Sequence, residues 1–124
     1  PFVLTQALLP RLKRARGQVV FINSSAGLAA NANAAQYSAT KHGLKALADS
    51  LRGEVNAEGV RVVSIFPGRV STPMQRAILE SEGRPWKPER LMQPEDVALA
   101  VVGALTLART AEVTNLSIRP MVKY

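Results

Sequence analysis

The sequence predicts an α/β fold built on a parallel sheet. Three observations carry that expectation. Val19 to Ile22 is a continuous apolar run rich in β-branched residues, the pattern of a strand covered on both faces, and Val60 to Phe66, apolar apart from Arg61 and Ser64, reads as a second buried strand. Segments with helical spacing separate these runs from each other and from a third strand-like stretch, Glu112 to Arg119. Gly17, Gly59 and the pair Pro67-Gly68 punctuate the junctions. Strands alternating with helices require parallel pairing through crossover connections.

Taken in order, residues 1–16 form the first expected helix, with Val3, Leu4, Ala7, Leu8, Arg11 and Leu12 recurring on one face. Pro10 is expected to bend or shorten it, because proline lacks the N–H and clashes with the preceding turn. Asn23, Ser24 and Ser25 then leave the first strand at its carboxyl end. A longer helix is expected over residues 35–57, with Leu44, Leu47, Ala48, Leu51 and Val55 on its apolar side. Gly43 and Gly53 weaken that helix by up to ~1 kcal/mol each relative to Ala, so tertiary packing has to hold it.

After the second strand, residues 69–92 contain Pro73, Gly83, Pro85 and Pro88 and read as a mobile excursion with one short helix near Pro73 to Leu79. Gln93-Pro94-Glu95-Asp96 is a helix start, with proline at the first position and acids in the first turn. Val97, Val101, Ala104, Leu105 and Ala108 supply its apolar stripe. Three strands are few for such a sheet, and the first strand keeps an open apolar edge. More of the sheet is therefore expected outside these residues.

Composition narrows the function classes. The chain has 124 residues, of which 47% are hydrophobic and 20% charged, which suits one folded domain rather than a disordered segment. No apolar run approaches the roughly 18 residues of a membrane span. The basic residues near the start follow the apolar ones, unlike the order in a secretory leader. Absence of cysteine excludes disulfides and thiolate metal sites, and fits a cytoplasmic protein. The net charge of +7 is dispersed except for Arg11, Lys13, Arg14 and Arg16, where cations complement the end of a helix. With few aromatics to stack bases and no zinc-finger or RNA-binding signature, neither nucleic acid nor membrane is expected as a partner.

The chemistry concentrates between Gln18 and Lys41. Tyr37 and Lys41 are four apart in an expected helix and so project from one face, one above the other. An ordinary phenol stays protonated at neutral pH, and an ammonium one turn away favours its phenolate. A Ser from the strand end would complete an acid–base site.

With its strand ending Asn23-Ser24-Ser25-Ala26-Gly27, its Tyr37-Ser38-Ala39-Thr40-Lys41 helix start and its Pro67-Gly68-Arg69-Val70-Ser71-Thr72 segment, the chain resembles the C-terminal half of a short-chain dehydrogenase/reductase. The ending Glu112 to Pro120 resembles the final strand of some members. The resemblance implies a Rossmann-like doubly wound parallel sheet of which residues 1–124 form a partial domain, three parallel strands with flanking helices. It implies an NAD(P)-dependent oxidoreductase interconverting an alcohol and a carbonyl, acting on a small molecule. Catalysis would use Ser24, Tyr37 and Lys41, with Tyr37 as the acid/base and Lys41 also bonding the nicotinamide ribose.

Ser24 is chosen because it lies thirteen before Tyr37 and three before Gly27, the family's counts; Ser25 is the alternative, and suits a role capping the turn. Pro67, Gly68, Val70 and Thr72 would line the nicotinamide, with the Val70 backbone and the Thr72 hydroxyl on its carboxamide. The cofactor is NADP or NAD, NADP being the first choice although no residue in this chain decides it. The family's Gly-rich cofactor turn and Asn-Ala-Gly segment are absent from the sequence, so it is expected to be part of a reductase roughly twice as long, which would pair as a homodimer or homotetramer through the first two helices. A catalytically inactive remnant or interaction module is the alternative reading. No metal site is expected: His42 sits about 100° around the helix from Lys41, and Glu80, Glu82 and Glu89 lack ligand spacing and are expected to face water. Trp86 falls where the family places a substrate lid, and local packing explains it equally well.

Overall fold

In the computed structural model, which describes residues 1–122, the elements run α1 (Phe2–Ala15), β1 (Gln18–Ile22), α2 (Ala35–Val55), β2 (Arg61–Pro67), α3 (Pro73–Ser81), α4 (Pro94–Leu105) and β3 (Asn115–Ile118). The three strands make one parallel sheet in the order β1-β2-β3. Val20 is level with Val63, and Ile65 with Leu116. No strand pairs with the outer edge of β1 among the described residues, and Ile22 there is exposed.

Both faces of the sheet are covered, which explains why Val19 to Ile22 reads as a continuous apolar run and β2 as a buried strand. On one face Phe21 and Val62 pack with Ala48, Leu51 and Val55 of α2, joined by Leu9 and Leu12 of α1. On the other, Val63 and Ile65 pack with Ala104, Val97 and Val101 of α4. Every residue of β2 is buried. Helices on opposite faces of a parallel sheet are the doubly wound arrangement, here in part.

Several elements depart from the sequence expectation, each for a physical reason. Pro10 does not shorten α1, which runs on to Ala15 and ends with Arg16 in the left-handed region. Pro10 and Gln6 are both exposed, so water can serve the carbonyl that proline leaves unbonded. The inward stripe of α1 is Leu9 and Leu12, while Val3, Leu4 and Leu8 stay exposed. α4 stops at Leu105, leaving Ala108 outside it; the Thr106 hydroxyl donates to the Val102 carbonyl at 2.9 Å and closes the last turn.

β3 begins at Asn115, not Glu112, because side chains occupy the β2 peptide groups it would pair with. The Glu112 carboxylate accepts the Val62 N–H at 2.6 Å, and Arg52 Nε donates to the Val62 carbonyl at 2.9 Å. Arg61, only 7% exposed, donates to the carbonyls of Leu107 and Ala111 and ties the α4–β3 loop to the sheet. Residues 69–92 contain the expected short helix, α3, and form an excursion closed at its base. Their ends meet where Val70 bridges Met92, and Arg69 holds both carboxylate oxygens of Glu82 at 3.0 Å. Glu80 pairs with Arg76, and Glu80, Glu82 and Glu89 are all exposed, as expected.

Arg52 also reaches Asp49 at 2.8 Å, and Lys45 reaches the other Asp49 oxygen at 2.6 Å. The Lys45 hydrogen bond first, then that from Arg52, holds the Asp49 carboxyl below its ordinary value. A carboxyl depressed by folding stabilises above its unfolded value, and that contribution disappears as pH falls through the folded one. Asp49→Asn is therefore expected to melt below wild type at neutral pH, the gap closing in acid; Tm against pH by circular dichroism checks this. A constant gap at all pH values would refute it.

Candidate active site

Ser24, Tyr37 and Lys41 come from two elements that meet at the carboxyl edge of the sheet, where open α/β sheets bind ligands. β1 ends at Ile22, and the chain continues through buried Asn23 to Ser24, which is extended at φ −161°, ψ 155°. The next three residues, Ser25–Gly27, form a single 3₁₀ turn that packs on α2. Ser24 itself caps this turn, its Oγ accepting the Ala26 N–H at 3.2 Å. The capping role expected for Ser25 thus belongs to Ser24, because the hydroxyl must lie one residue ahead of the turn to meet its N–H. Accepting that bond leaves the Ser24 O–H able to donate to a bound oxygen.

Tyr37 and Lys41 lie in the first two turns of α2, and the Lys41 ammonium sits 5.6 Å from the centre of the Tyr37 ring. Neither the phenol hydroxyl nor the ammonium has a hydrogen bond or ion pair among the described residues, and Tyr37 is 46% exposed. Two polar groups stacked on one helix face and unclaimed by the protein are available to a ligand. His42 points its Nδ1 at the Ser38 carbonyl, 2.9 Å away.

The second strand ends beside this region. Pro67 closes β2 opposite Ile118, and the Gly68 N–H donates to the Ile118 carbonyl at 2.8 Å. A Cβ at Gly68 would sit 3.2 Å from the side chains of Arg119 and Pro120, so a larger residue there would require these neighbours to shift. Met92 bonds the peptide groups on either side of Val70, from Ser71 N–H and to the Arg69 carbonyl. The Val70 N–H itself has no partner among the described residues. Thr72 caps α3, its hydroxyl accepting the Gln75 N–H at 3.2 Å. A cleft of about 530 Å³ lies farther along this edge, lined in part by Met92, Leu99, Ile118 and Pro120, and contains none of Ser24, Tyr37 or Lys41. Trp86 is half-buried on the 69–92 segment.

The residue that sequence reasoning passed over is Asn23. It is a buried amide directly after a buried apolar run, and its carboxamide contacts both Ser24 and Lys41. The signal was present, since a polar residue at the inner end of such a strand must be hydrogen-bonded. Its partner eighteen residues on was not.

A family profile described as short chain dehydrogenase matches residues 1–83. An uncharacterized short-chain type dehydrogenase/reductase of Sinorhizobium fredii is 36% identical over 96% of the chain and 50% of its own length. An uncharacterized oxidoreductase of Staphylococcus epidermidis is 36% identical over 94% of the chain and 48% of its length. Among solved structures, the closed form of serine dehydrogenase complexed with NADP+ superposes with a TM-score of 0.81 at 26% identity, over 97% of this chain and 51% of that one. A 4-hydroxyisoleucine dehydrogenase complexed with NADH gives 0.74 at 28% identity, over 95% and 52%. The chain spans about half the length of the curated relatives it matches.

Proposed function

Because the chain belongs to the short-chain dehydrogenase family, we propose that it carries the catalytic half of an NAD(P)-dependent oxidoreductase that interconverts an alcohol and a carbonyl. The observation that carries this reading is the Tyr37–Lys41 stack at the carboxyl edge of a parallel sheet, in which the Lys41 ammonium lies 5.6 Å from the centre of the Tyr37 ring and neither polar group is claimed by the described residues. The residues fit a nicotinamide nucleotide. Lys41 offers three rotatable donors to ribose hydroxyls, and the unpartnered Val70 N–H and the Thr72 hydroxyl suit the carboxamide. The bound cofactor supplies or accepts the hydride. The relatives solved with NADP+ and with NADH support the cofactor class and leave the choice between the two open.

In the reductive direction the Ser24 O–H holds the carbonyl oxygen of the substrate, and Tyr37 gives that oxygen its proton as the carbon is reduced. In oxidation Tyr37 takes the proton back. Lys41 would hold the ribose of the bound cofactor, and so keep it beside the substrate that Ser24 and Tyr37 engage. The apolar residues left exposed on α1, Phe2, Val3, Leu4 and Leu8, support assembly as a homodimer or homotetramer through the helices of that face. The test is direct: the full-length protein, given NADPH or NADH and a panel of ketones and aldehydes, consumes the dihydronicotinamide absorbance with at least one of them. No consumption with either cofactor across the panel would overturn the proposal in favour of an inactive member of the family.

A further inference from the structure

Asn23 is 5% exposed and uses both ends of its carboxamide. Oδ1 accepts the Ser24 N–H at 2.8 Å, and Nδ2 donates to the Lys41 carbonyl at 3.1 Å. Its own backbone N–H donates to the Ile65 carbonyl of β2 at 2.8 Å. One residue is thereby tied to the central strand, to Ser24 and to Lys41. Gly27 closes the arrangement from the turn: a Cβ there would meet Asn23 Oδ1 at 2.7 Å and the Lys41 carbonyl oxygen at 2.9 Å, both too close. The amide cannot be reversed, since reversal would set its NH₂ against the Ser24 N–H and its oxygen against the Lys41 oxygen. A side chain needed only to fill space here would require no polar atoms.

We infer that Asn23 is a positioning residue, setting the spacing between the Ser24 hydroxyl and the Lys41–Tyr37 pair through the peptide groups of Ser24 and Lys41. This role rests on the proposed function of that trio. It has a physical motive: hydride transfer needs the substrate oxygen held by one element and protonated from another, and loss of register between them costs rate steeply. β1 and α2 are joined by the loop over residues 23–34, and the Asn23 bridge shortens that connection to two hydrogen bonds.

The test exploits the isosteric acid. In Asn23→Asp a protonated carboxyl can still donate to the Lys41 carbonyl and accept from Ser24, whereas a carboxylate accepts from Ser24 but has no proton for Lys41. The titratable groups on the first two turns of α2, which pack against Asn23, are Tyr37, Lys41 and His42, with Lys45, Asp49, Arg52 and Glu54 farther along the helix; the turn Ser25–Gly27 and the nearby ends of β1 and β2 contribute none. Burial favours the neutral acid, so the profile is readable at accessible pH.

In the full-length protein, kcat of Asn23→Asp is expected to fall at least about 30-fold below wild type near pH 8 and to recover to within about threefold near pH 5. A variant damaged only in packing would show a ratio independent of pH. Should Asn23→Asp fail to fold, hydrogen exchange of the wild-type Asn23 carboxamide by NMR decides: slow exchange supports the bridge, and exchange at the rate of a solvated amide overturns it. A pH-independent ratio in an active enzyme overturns the role of Asn23 and leaves the oxidoreductase assignment standing. A wild type without nicotinamide-linked turnover overturns both.

Discussion

Tyr37→Phe in the full-length protein is expected to lower kcat by about 10²–10⁴-fold, the range a positioned proton donor supplies, while the cofactor dissociation constant stays within about twofold of wild type. The substitution removes one oxygen and keeps the ring. The Lys41 ammonium lies 5.6 Å from the centre of that ring, a contact that depends on the aromatic face and survives in Phe. Lys41 is therefore expected to stay in place for its proposed contact with the ribose, and only the proposed proton donor is lost. The phenol hydroxyl has no hydrogen bond among the described residues, so its removal leaves no orphaned partner and should not change Tm appreciably. Steady-state kinetics paired with fluorescence titration of NADPH and NADH check both halves of the expectation. Turnover within tenfold of wild type would take the acid/base role away from Tyr37.

Phe66→Ala is expected to have the largest effect on stability, about 3–5 kcal/mol, seen as a lower denaturant midpoint with an unchanged slope. Phe66 is 0% exposed on the central strand of the sheet, whose seven residues are all buried. Truncation there loses the transfer free energy of the ring and leaves a cavity that a strand paired on both sides cannot collapse around. The position also matters for the site, since Pro67 and Gly68 follow directly and hand the chain on to Val70 and Thr72. A midpoint shift worth less than about 1 kcal/mol would mean that the strand rearranges freely, and the rigid platform assumed for the site would go with it.

Much of the fold could be read from local pattern. Val19 to Ile22 is apolar without alternation, and Val60 to Phe66 nearly so apart from Arg61 and Ser64, because the sheet is covered on both faces, and that property belongs to each strand by itself. The start of α4 was equally legible: Pro94 at its first position and the reciprocal bonds between Gln93 and Asp96 are contacts within four residues. Where β3 begins was not legible. It depends on Glu112 and Arg52 reaching the Val62 peptide, across 50 and 10 residues, and strand propensity carries no record of such competition. The same holds for residues 69–92, whose prolines and glycine suggest an open segment until Val70 meets Met92.

By itself, then, the sequence determined the strands, the order of helices around them, and that Tyr37 and Lys41 share a helix face, because periodicity and a four-residue spacing are properties of contiguous chain. Only the tertiary structure decided that the Ser24 hydroxyl caps the turn leading to that helix, that Gly27 must lie against the Lys41 peptide, and that Asn23 spans the gap. The last two are contacts with Lys41 from the far side of the loop, and the cap falling on Ser24 rather than Ser25 turns on backbone geometry that the local sequence left open. A buried donor or acceptor announces that it needs a partner, and the packing of one element on another names it.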